Sequence, residues 1–411
     1  MDYYDDLETR APRAREAALF AALPRQIAHA KKHAPAFARM LADVDAKRIT
    51  DRAALARLPV VRKSALIELQ SEAPPFGGLA AMVVGSSGRV FASPGPIYEP
   101  EGTRPDYWRV ARALFAAGVR KGELVHNAFS YHFTPGGFII ESGALALGCT
   151  VFPAGTGQTE QQVAAIAALR PQAYAGTPSF LKIILDKGVE MGMRLDSITK
   201  ALVSGEALPP GLRAQLRDRG VNVLQCYATA DLGLIAYESE AAEGMIVDEG
   251  VIVEIVRPGT GAPVAAGEVG EVVVTTLTPE YPLIRFATGD LSAVLPGASP
   301  CGRTNMRIKG WMGRADQTTK VKGMFVHPAQ VAEVVKRHAE IVKARLLVER
   351  EGDNDAMTLH CEIQDAGSER LRDAIAASLR DVCNLRGTVK FAAAGSLPND
   401  GKVIEDARKL A

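Results

Sequence analysis

The sequence predicts an α/β protein in two parts. A large N-terminal domain has mostly parallel sheets covered by helices plus a β-rich subdomain, and a small α+β C-terminal domain follows. Three observations predict this. From residue 121 to 226, short apolar runs alternate with longer amphipathic ones, the rhythm of adjacent strands crossed over by helices. The runs Val251–Val256 and Gly270–Thr276, separated by an Arg-Pro-Gly-Thr-Gly stretch, have the texture of antiparallel strands. Beyond a polar, glycine-rich stretch from Pro296 to Gly313, a compact set of helix- and strand-like segments begins at Pro328.

In chain order, residues 10 to 45 are rich in Ala, Arg and Leu and read as helix, with Pro24 and Pro35 as punctuation. Glu123–Ala128 reads as strand, Gly136–Leu147 as helix, Thr150–Pro153 as strand and Glu160–Leu169 as helix. Ala173–Ala175 is a strand, Ser179–Lys187 a helix, Ser197–Ser204 a strand, Pro210–Arg219 a helix and Val221–Cys226 a strand. In the last part, helix Pro328–Ala339, strands Lys343–Glu349 and Ala356–Ile363, and helix Ser368–Val382 form the small domain. The boundary falls near Gly313–Asp316, giving domains 1–313 and 314–411.

Composition excludes several classes. Of the 411 residues 47% are hydrophobic and 23% charged, the balance of a globular chain rather than a disordered, collagenous or coiled-coil one. With 48 Lys plus Arg against 47 Asp plus Glu, the net charge of +1 exerts no bulk pull on nucleic acid or anionic membrane, so a bound phosphate needs a local site. The acidic start Met1-Asp-Tyr-Tyr-Asp-Asp lacks the order of a signal peptide. The longest apolar stretch, Gly137 to Pro153, is interrupted by Glu141 and glycines, so no bilayer span is expected. Five scattered cysteines with no C-x-x-C pair argue against a disulfide scaffold or a Cys-only zinc site, and a cytoplasmic location is the expectation.

Neither a Walker-type loop nor a G-x-G-x-x-G helix start is present. What exists is Gly85-Ser86-Ser87-Gly88, whose small residues let backbone amides approach an anion, or simply make a turn. Tyr281-Pro-Leu-Ile-Arg-Phe-Ala-Thr-Gly-Asp290 delivers a carboxylate at a strand end, suited to paired hydrogen bonds with the two hydroxyls of a ribose, or again to a surface turn. Gly313-Arg314-Ala-Asp316, with Lys320 and Lys322 beyond, clusters charge at the domain boundary, as a site or as a solvated linker. Lys402 follows a glycine near the end, exposed or carried into a site when the small domain closes.

In this order, these pieces resemble the adenylate-forming superfamily of acyl-CoA ligases, and within it the phenylacetate–CoA ligases. Leu145-Ala-Leu-Gly-Cys-Thr-Val-Phe-Pro153, Gly157-Gln-Thr-Glu160, Arg170-Pro-Gln, Gly176-Thr-Pro-Ser-Phe180, Ser204-Gly-Glu-Ala207 and the Leu-Pro-Val-Val-Arg-Lys-Ser run from Leu58 carry the likeness. The resemblance implies two half-reactions: a carboxylate and ATP give acyl-AMP and pyrophosphate, then the thiol of coenzyme A displaces AMP. It implies that Ser86, Ser87 and Gly88 hold phosphate, and that Ser204, Gly205, Glu206, Ala207, Gln225, Cys226, Tyr227, Ala228 and Thr229 flank the adenine and AMP. Asp290 would take the ribose with Arg314 beside it, and Asp316 would be the hinge of a mobile small domain. Lys402 would stabilise charge during adenylation, Gly323 would line the CoA tunnel, and Tyr131, Phe133, Gly136 and Gly137 would build an aromatic-acid pocket.

Three departures accompany the likeness. The family's phosphate-loop lysine is absent, and Arg89 is the cation expected to take its part. The magnesium-binding Glu is Asp231, a competent hard-oxygen ligand for Mg²⁺. The positions of a zinc site found in some relatives hold Ser239, Ile246, Ser299 and Cys301, so no zinc is expected. The expected activity is therefore that of an AMP-forming aryl- or arylacetyl-CoA ligase using ATP, Mg²⁺ and CoA, with monomer and homodimer both open. The alternatives are a non-catalytic nucleotide- or acyl-CoA-binding relative, or an adenylating enzyme with a carrier-protein or amine acceptor.

Overall fold

The computed structural model describes residues 2–258, 260–315, 319–322, 324–326, 328–351, 354–364, 367–398 and 402–408. The chain divides into two compact units, Met1–Thr288 with Ser292–Trp311, and Gly289–Leu291 with Met312–Ala411. Among the described residues no helix is long and apolar enough to cross a membrane.

The first unit opens with α1 (Pro12–His33), which has a proline at its first turn and runs through Pro24 without breaking. Leu19, Phe20, Leu23, Ile27 and Ala30 recur at helical spacing and are buried. That face holds the helix together against the roughly 3 kcal/mol an interior proline costs. Pro24 is therefore not the punctuation expected of it, whereas Pro35 does start a new helix, α2 (Pro35–Met40). Two short helices, α3 (Arg52–Leu55) and α4 (Leu66–Glu72), flank strand β1 (Val61–Arg62). An antiparallel hairpin of β2 (Arg89–Ser93) and β3 (Ile97–Glu101) and helix α5 (Ala111–Ala116) follow.

The β-α-β rhythm is realised by β4 (Leu124–Asn127), α6 (Gly136–Ala146), β5 (Thr150–Pro153), α7 (Thr159–Leu169), β6 (Ala173–Gly176), α8 (Pro178–Glu190), β7 (Lys200–Val203), α9 (Pro210–Asp218) and β8 (Asn222–Thr229). Strands β5, β4, β6, β7 and β8 lie side by side in parallel. The sheet does not stop there: β9 (Gly233–Tyr237), β10 (Met245–Val247) and, further along the chain, β15 (Arg307–Ile308) extend it antiparallel. The nine-stranded sheet is thus mixed. Strand β15 lies inside the stretch expected to be irregular, because the buried Arg307 is held by carbonyls of Glu243, Pro296, Gly297 and Ala298 rather than by an apolar pattern.

A second, four-stranded sheet has the order β1–β13–β12–β11, with β11 (Val251–Val256) antiparallel to β12 (Gly270–Thr276) and β1 parallel to β13 (Phe286–Ser292). Strand β14 (Val294–Leu295) belongs to the nine-stranded sheet, at its edge beside β15. Arg285, just before β13, is 2% exposed and adopts φ +48°. Its guanidinium donates to both oxygens of Glu254 at 3.0 and 3.1 Å and to the carbonyls of Ala56, Leu58 and Gly261 at 2.8, 2.5 and 2.7 Å.

In the second unit, β16 (Thr319–Val321) pairs antiparallel with β17 (Met324–Val326), and α10 (Pro328–Lys336) follows. A four-stranded sheet is built from β18 (Ile341–Glu351), β19 (Asn354–Ile363), β20 (Thr388–Ala393) and β21 (Ile404–Asp406), in the order β20–β19–β18–β21. Helix α11 (Glu369–Cys383) buries Ile375, Leu379 and Cys383 in a core that includes Leu346, Val348 and Leu359. Lys402 is therefore not on a loose tail. It stands immediately before a strand that pairs in parallel with β18, Leu346 opposite Ile404, and the Leu346 amide donates to the Val403 carbonyl.

Replacing Arg285 by Met strips four groups of their donors and leaves Glu254 buried without a cation. Denaturant unfolding of Arg285→Met is expected to show a loss of about 3–5 kcal/mol, and a loss under about 1 kcal/mol would remove this residue from the account of the fold.

Candidate functional site

A cavity of about 220 Å³ opens at the C-terminal ends of the parallel strands, the place where open α/β sheets bind ligands. One wall comes from strand ends: Ser204 and Gly205 after β7, and Cys226, Ala228, Thr229 and Ala230 on and just after β8. The other comes from Val110 before α5, Phe129 after β4, and Gly136, Ile139 and Ile140 of α6. No ionisable side chain except the Cys226 thiol lines it, and burial pushes that thiol up to about 12. The lining suits an apolar body at one end and backbone hydrogen bonding at the other. Gly205, at φ +83°, holds a conformation that a side chain would strain. The Ser204 hydroxyl donates to the Cys226 carbonyl at 2.8 Å, tying the two strand ends together.

Several expected residues join this cavity and several do not. Ser204, Gly205, Cys226, Ala228, Thr229 and Gly136 line it. Glu206 instead accepts from the Ser179 amide at 2.7 Å, and the Gln225 side chain donates to Glu238 at 2.8 Å. The Tyr227 hydroxyl donates to Thr288 Oγ1 at 3.1 Å inside the protein. Tyr131 is not in the cavity lining, and its hydroxyl donates to Glu141 and accepts from Asn127. A Cβ on Gly137 would meet the Tyr131 ring at 2.8 Å, so that glycine serves the loop packing. Phe133 points to solvent, 82% exposed, with φ +58°.

The expected phosphate segment is a single 3₁₀ turn, Val84–Ser86, with Ser86 bonded back to the Val83 carbonyl. Neither Gly85 nor Gly88 is left-handed, so the segment does not use the freedom that an anion-binding nest requires. Arg89 is paired with Glu101 at 2.8 Å and lies over the Phe138 ring at 4.3 Å, so its charge is already engaged.

Asp290 is brought to Arg314 as expected: Arg314 Nη1 donates to Asp290 Oδ1 at 3.2 Å, and the two residues form an isolated antiparallel bridge. Gly289, at φ +78°, holds a backbone conformation that a side chain would strain, and a Cβ there would also push the end of the Arg314 side chain, 2.8 Å away. Asp316 and Gly323 lie outside the described residues.

Asp231 does not fit the magnesium role. Its side chain has no exposed surface, and Lys63 donates to its Oδ2 at 2.5 Å. Oδ1 is buried without a partner. The carboxylate belongs to an internal group of charges, one residue beyond the cavity wall at Ala230. Glu99 of β3 is part of that group: fully buried, its carboxyl pushed up to about 8 by burial and then by the negative charge of Asp231, against the opposing hydrogen bonds from Ser93 and the charge of Lys63. Lys63 and Glu99 were not singled out as site residues. In β3 only Tyr98 is exposed and Glu99 is buried with Ile97, Pro100 and Glu101, so no clean alternation marked it in the sequence.

Residues 110–278 match the family model described as AMP-binding enzyme, and residues 323–407 match that of the AMP-binding enzyme C-terminal domain. A phenylacetate-coenzyme A ligase from Thermus thermophilus is 32% identical over 400 residues, spanning 91% of this chain and 88% of that protein. One from Pseudomonas putida is 33% identical over 266 residues, spanning 62% of this chain and 60% of that protein. A solved structure of 2-hydroxyisobutyryl-CoA ligase with 2-HIB-AMP and CoA has a TM-score of 0.73 at 24% identity, covering 98% of this chain and 92% of that one, a likeness of fold.

At the positions where the resemblance led to the expectation of no zinc, Cys301 is held by hydrogen bonds. Burial works against the Cys301 thiolate, but hydrogen bonding from Ser239, Ser299 and Arg303 outweighs it and lowers the thiol's pKa. Ser299 Oγ lies 3.1 Å from the sulfur, and the position of a further ligand is filled by buried Ile246. Metal analysis of purified protein is expected to find no stoichiometric zinc, and one tightly held zinc per chain would contradict this.

Proposed function

Because the chain belongs to the phenylacetate–coenzyme A ligase family of AMP-forming acid–thiol ligases, we propose that it activates a small aromatic carboxylic acid with ATP and transfers the acyl group to coenzyme A. The observation that carries the substrate class is the apolar cavity, bounded by Val110, Phe129, Ile139 and Ile140 and ended by the Ser204–Gly205 backbone. An aromatic ring gains from burial there, and nothing charged competes for its contacts.

In the first half-reaction a carboxylate oxygen bonds to the α-phosphorus of ATP and pyrophosphate leaves. In the second, the sulfur of CoA bonds to the acyl carbonyl carbon, AMP leaves and the thiol proton passes to solvent. The side chains of α6 and Val110 seat the acid, and the ends of β7 and β8 bound the side that the nucleotide would occupy. Asp290 accepts the ribose hydroxyls, and the Arg314 guanidinium fixes its carboxylate for that task. Lys402 supplies the cation that meets the charge on carboxylate and α-phosphate. Its backbone is set by β21, so it is placed by the small unit as a whole. Asp316 is the hinge and Gly323 the tunnel residue of this reading. No step is routed through a metal at Asp231.

Asp290→Ala is expected to weaken AMP binding by about 2–4 kcal/mol in calorimetry while leaving acid binding unchanged. An unaltered AMP affinity would take the ribose away from Asp290.

The reading as a whole is tested by separating the half-reactions. With a panel of aromatic acids, ATP and Mg²⁺, the unaltered protein should release pyrophosphate. Lys402→Ala should slow that release by about 10²–10³-fold and leave conversion of preformed acyl-AMP and CoA largely intact. Equal losses in both half-reactions would deny Lys402 an adenylation-specific role. Absence of both reactions in the unaltered protein across the panel would favour a nucleotide-binding relative without catalysis.

A further inference from the structure

Arg109 adjoins the acid cavity in the chain without lining it, and the ligase reading gives it no task. Its neighbour Val110 forms part of one cavity wall, and Ala228, Thr229 and Ala230 at the end of β8 form part of the other. The backbone at Arg109 adopts φ +63°, a left-handed conformation that a residue bearing a side chain keeps only when its surroundings hold it there. The side chain is 19% exposed, and its donors converge on one region. Nε donates to Asp248 Oδ1 at 2.9 Å and Nη1 to Thr278 Oγ1 at 3.2 Å. Nη2 donates to the carbonyls of Leu232 and Leu234 at 2.5 and 3.2 Å.

These two carbonyls belong to the turn that follows the cavity wall. Leu232 comes just after Asp231, and Leu234 lies in β9. A second bond runs the same way: the Leu234 amide donates to the Trp108 carbonyl at 3.0 Å. Leu234 is thus held at its amide by Trp108 and at its carbonyl by Arg109. The chain leaves room for both approaches. A Cβ on Gly233 would lie 2.7 Å from the Trp108 carbonyl oxygen, and one on Gly250 would lie 2.7 Å from Arg109 Cδ. The segment before α5 and the turn after β8 are thereby stitched together, next in the chain to both cavity walls. A guanidinium suits the task because its planar fork reaches a carboxylate and two carbonyls at once, which an ammonium on a flexible stem does not reproduce.

We propose that Arg109 is a positioning residue that sets the width of the acid cavity, and with it which carboxylic acids fit. The nature of the occupant rests on the ligase reading; the stitch itself does not. Helix α6 packs closely on Val110 through Gly143, so the stitch also bears on Ile139 and Ile140, the other aliphatic residues of that wall. Arg109 acts through Val110 and touches neither acid nor nucleotide. The competing role is a clamp that serves folding alone.

Arg109→Lys keeps a charge on Asp248 and loses the planar fork, whereas Arg109→Gln keeps an amide donor without the charge, so the outcome is read even if one of the two fails to fold. Ligand-free crystals of either variant should show a wider gap between Val110 and Ala230 than crystals of the unaltered protein. An unchanged gap would overturn the proposal whatever reaction the protein catalyses. Pyrophosphate release with ATP and Mg²⁺ is then measured for phenylacetate and for the bulkier 1-naphthylacetate. The ratio of their kcat/KM values is expected to move about tenfold toward the bulkier acid in the variants, through KM for the acids, with KM for ATP unchanged. Val110→Ala should move the ratio the same way and add little on top of Arg109→Lys, because both act on one wall. A clamp serving folding alone would lower the melting temperature and both kcat/KM values together, and a ratio that stays put would overturn the proposal. If the unaltered protein turns over neither acid, the ligase reading fails instead, and the crystallographic gap decides the role of Arg109 by itself.

Discussion

The β-rich part of the first unit depends on one guanidinium. Arg has five N–H donors in a fixed plane and cannot shed its charge, so a fully buried Arg must meet a matching set of acceptors. Around Arg285 that set comes from four places in the chain: Ala56, Leu58, Glu254 and Gly261. Its own amide donates to Thr275 Oγ1, and its carbonyl accepts from the Val61 amide, which starts the parallel pairing of β1 with β13. The residue thereby holds the N-terminal segment, β11 and the loop after it to the start of β13, and Asp290 lies inside that strand rather than at its end, where the sequence suggests it.

A division runs through the end of β8. Ala228 to Ala230 present small side chains to the cavity, and the next residue, Asp231, turns its carboxylate into the interior toward Lys63. Motif likeness reads this segment as one functional unit. In the structure the small residues make the wall, and the acid belongs to the charge balance behind it.

What was legible in the sequence was whatever leaves a periodic or punctuated trace. The alternation from 121 to 226 located every parallel strand and helix of the main sheet, because strands buried on both faces read as short apolar runs between amphipathic helices. The valine runs at 251 and 270 read as an antiparallel pair for the same reason. Strand β15 left no trace, since its register is fixed by Arg307 bonding to distant carbonyls. Pro24 misled because the burial of Leu23 and Ile27 on either side of it is a tertiary fact. At the site, the strand-end residues Ser204, Gly205 and Ala228 line the cavity. Likeness does not tell which local partner a polar side chain takes: Tyr131 bonds to Glu141, Arg89 to Glu101 and Asp231 to Lys63. A residue type at the right position does not fix which neighbour claims its polar end.

The two walls of the cavity are built from different kinds of element, and this bears on how such a protein diversifies. Strand ends, with their small side chains and backbone groups, tolerate little change, because Ser204, Gly205 and Cys226 are bonded to one another or held in restricted conformations. The helical wall is made of interchangeable aliphatic side chains, so Ile139 and Ile140 can be resized by single substitutions. Val110 is asymmetric: Gly143 packs so closely on it that a Cβ there would lie 2.4 Å from a Val110 methyl. Position 110 can shrink freely, but growth toward Gly143 is blocked. The size of the chamber is therefore easier to raise than to lower by substitution at this position.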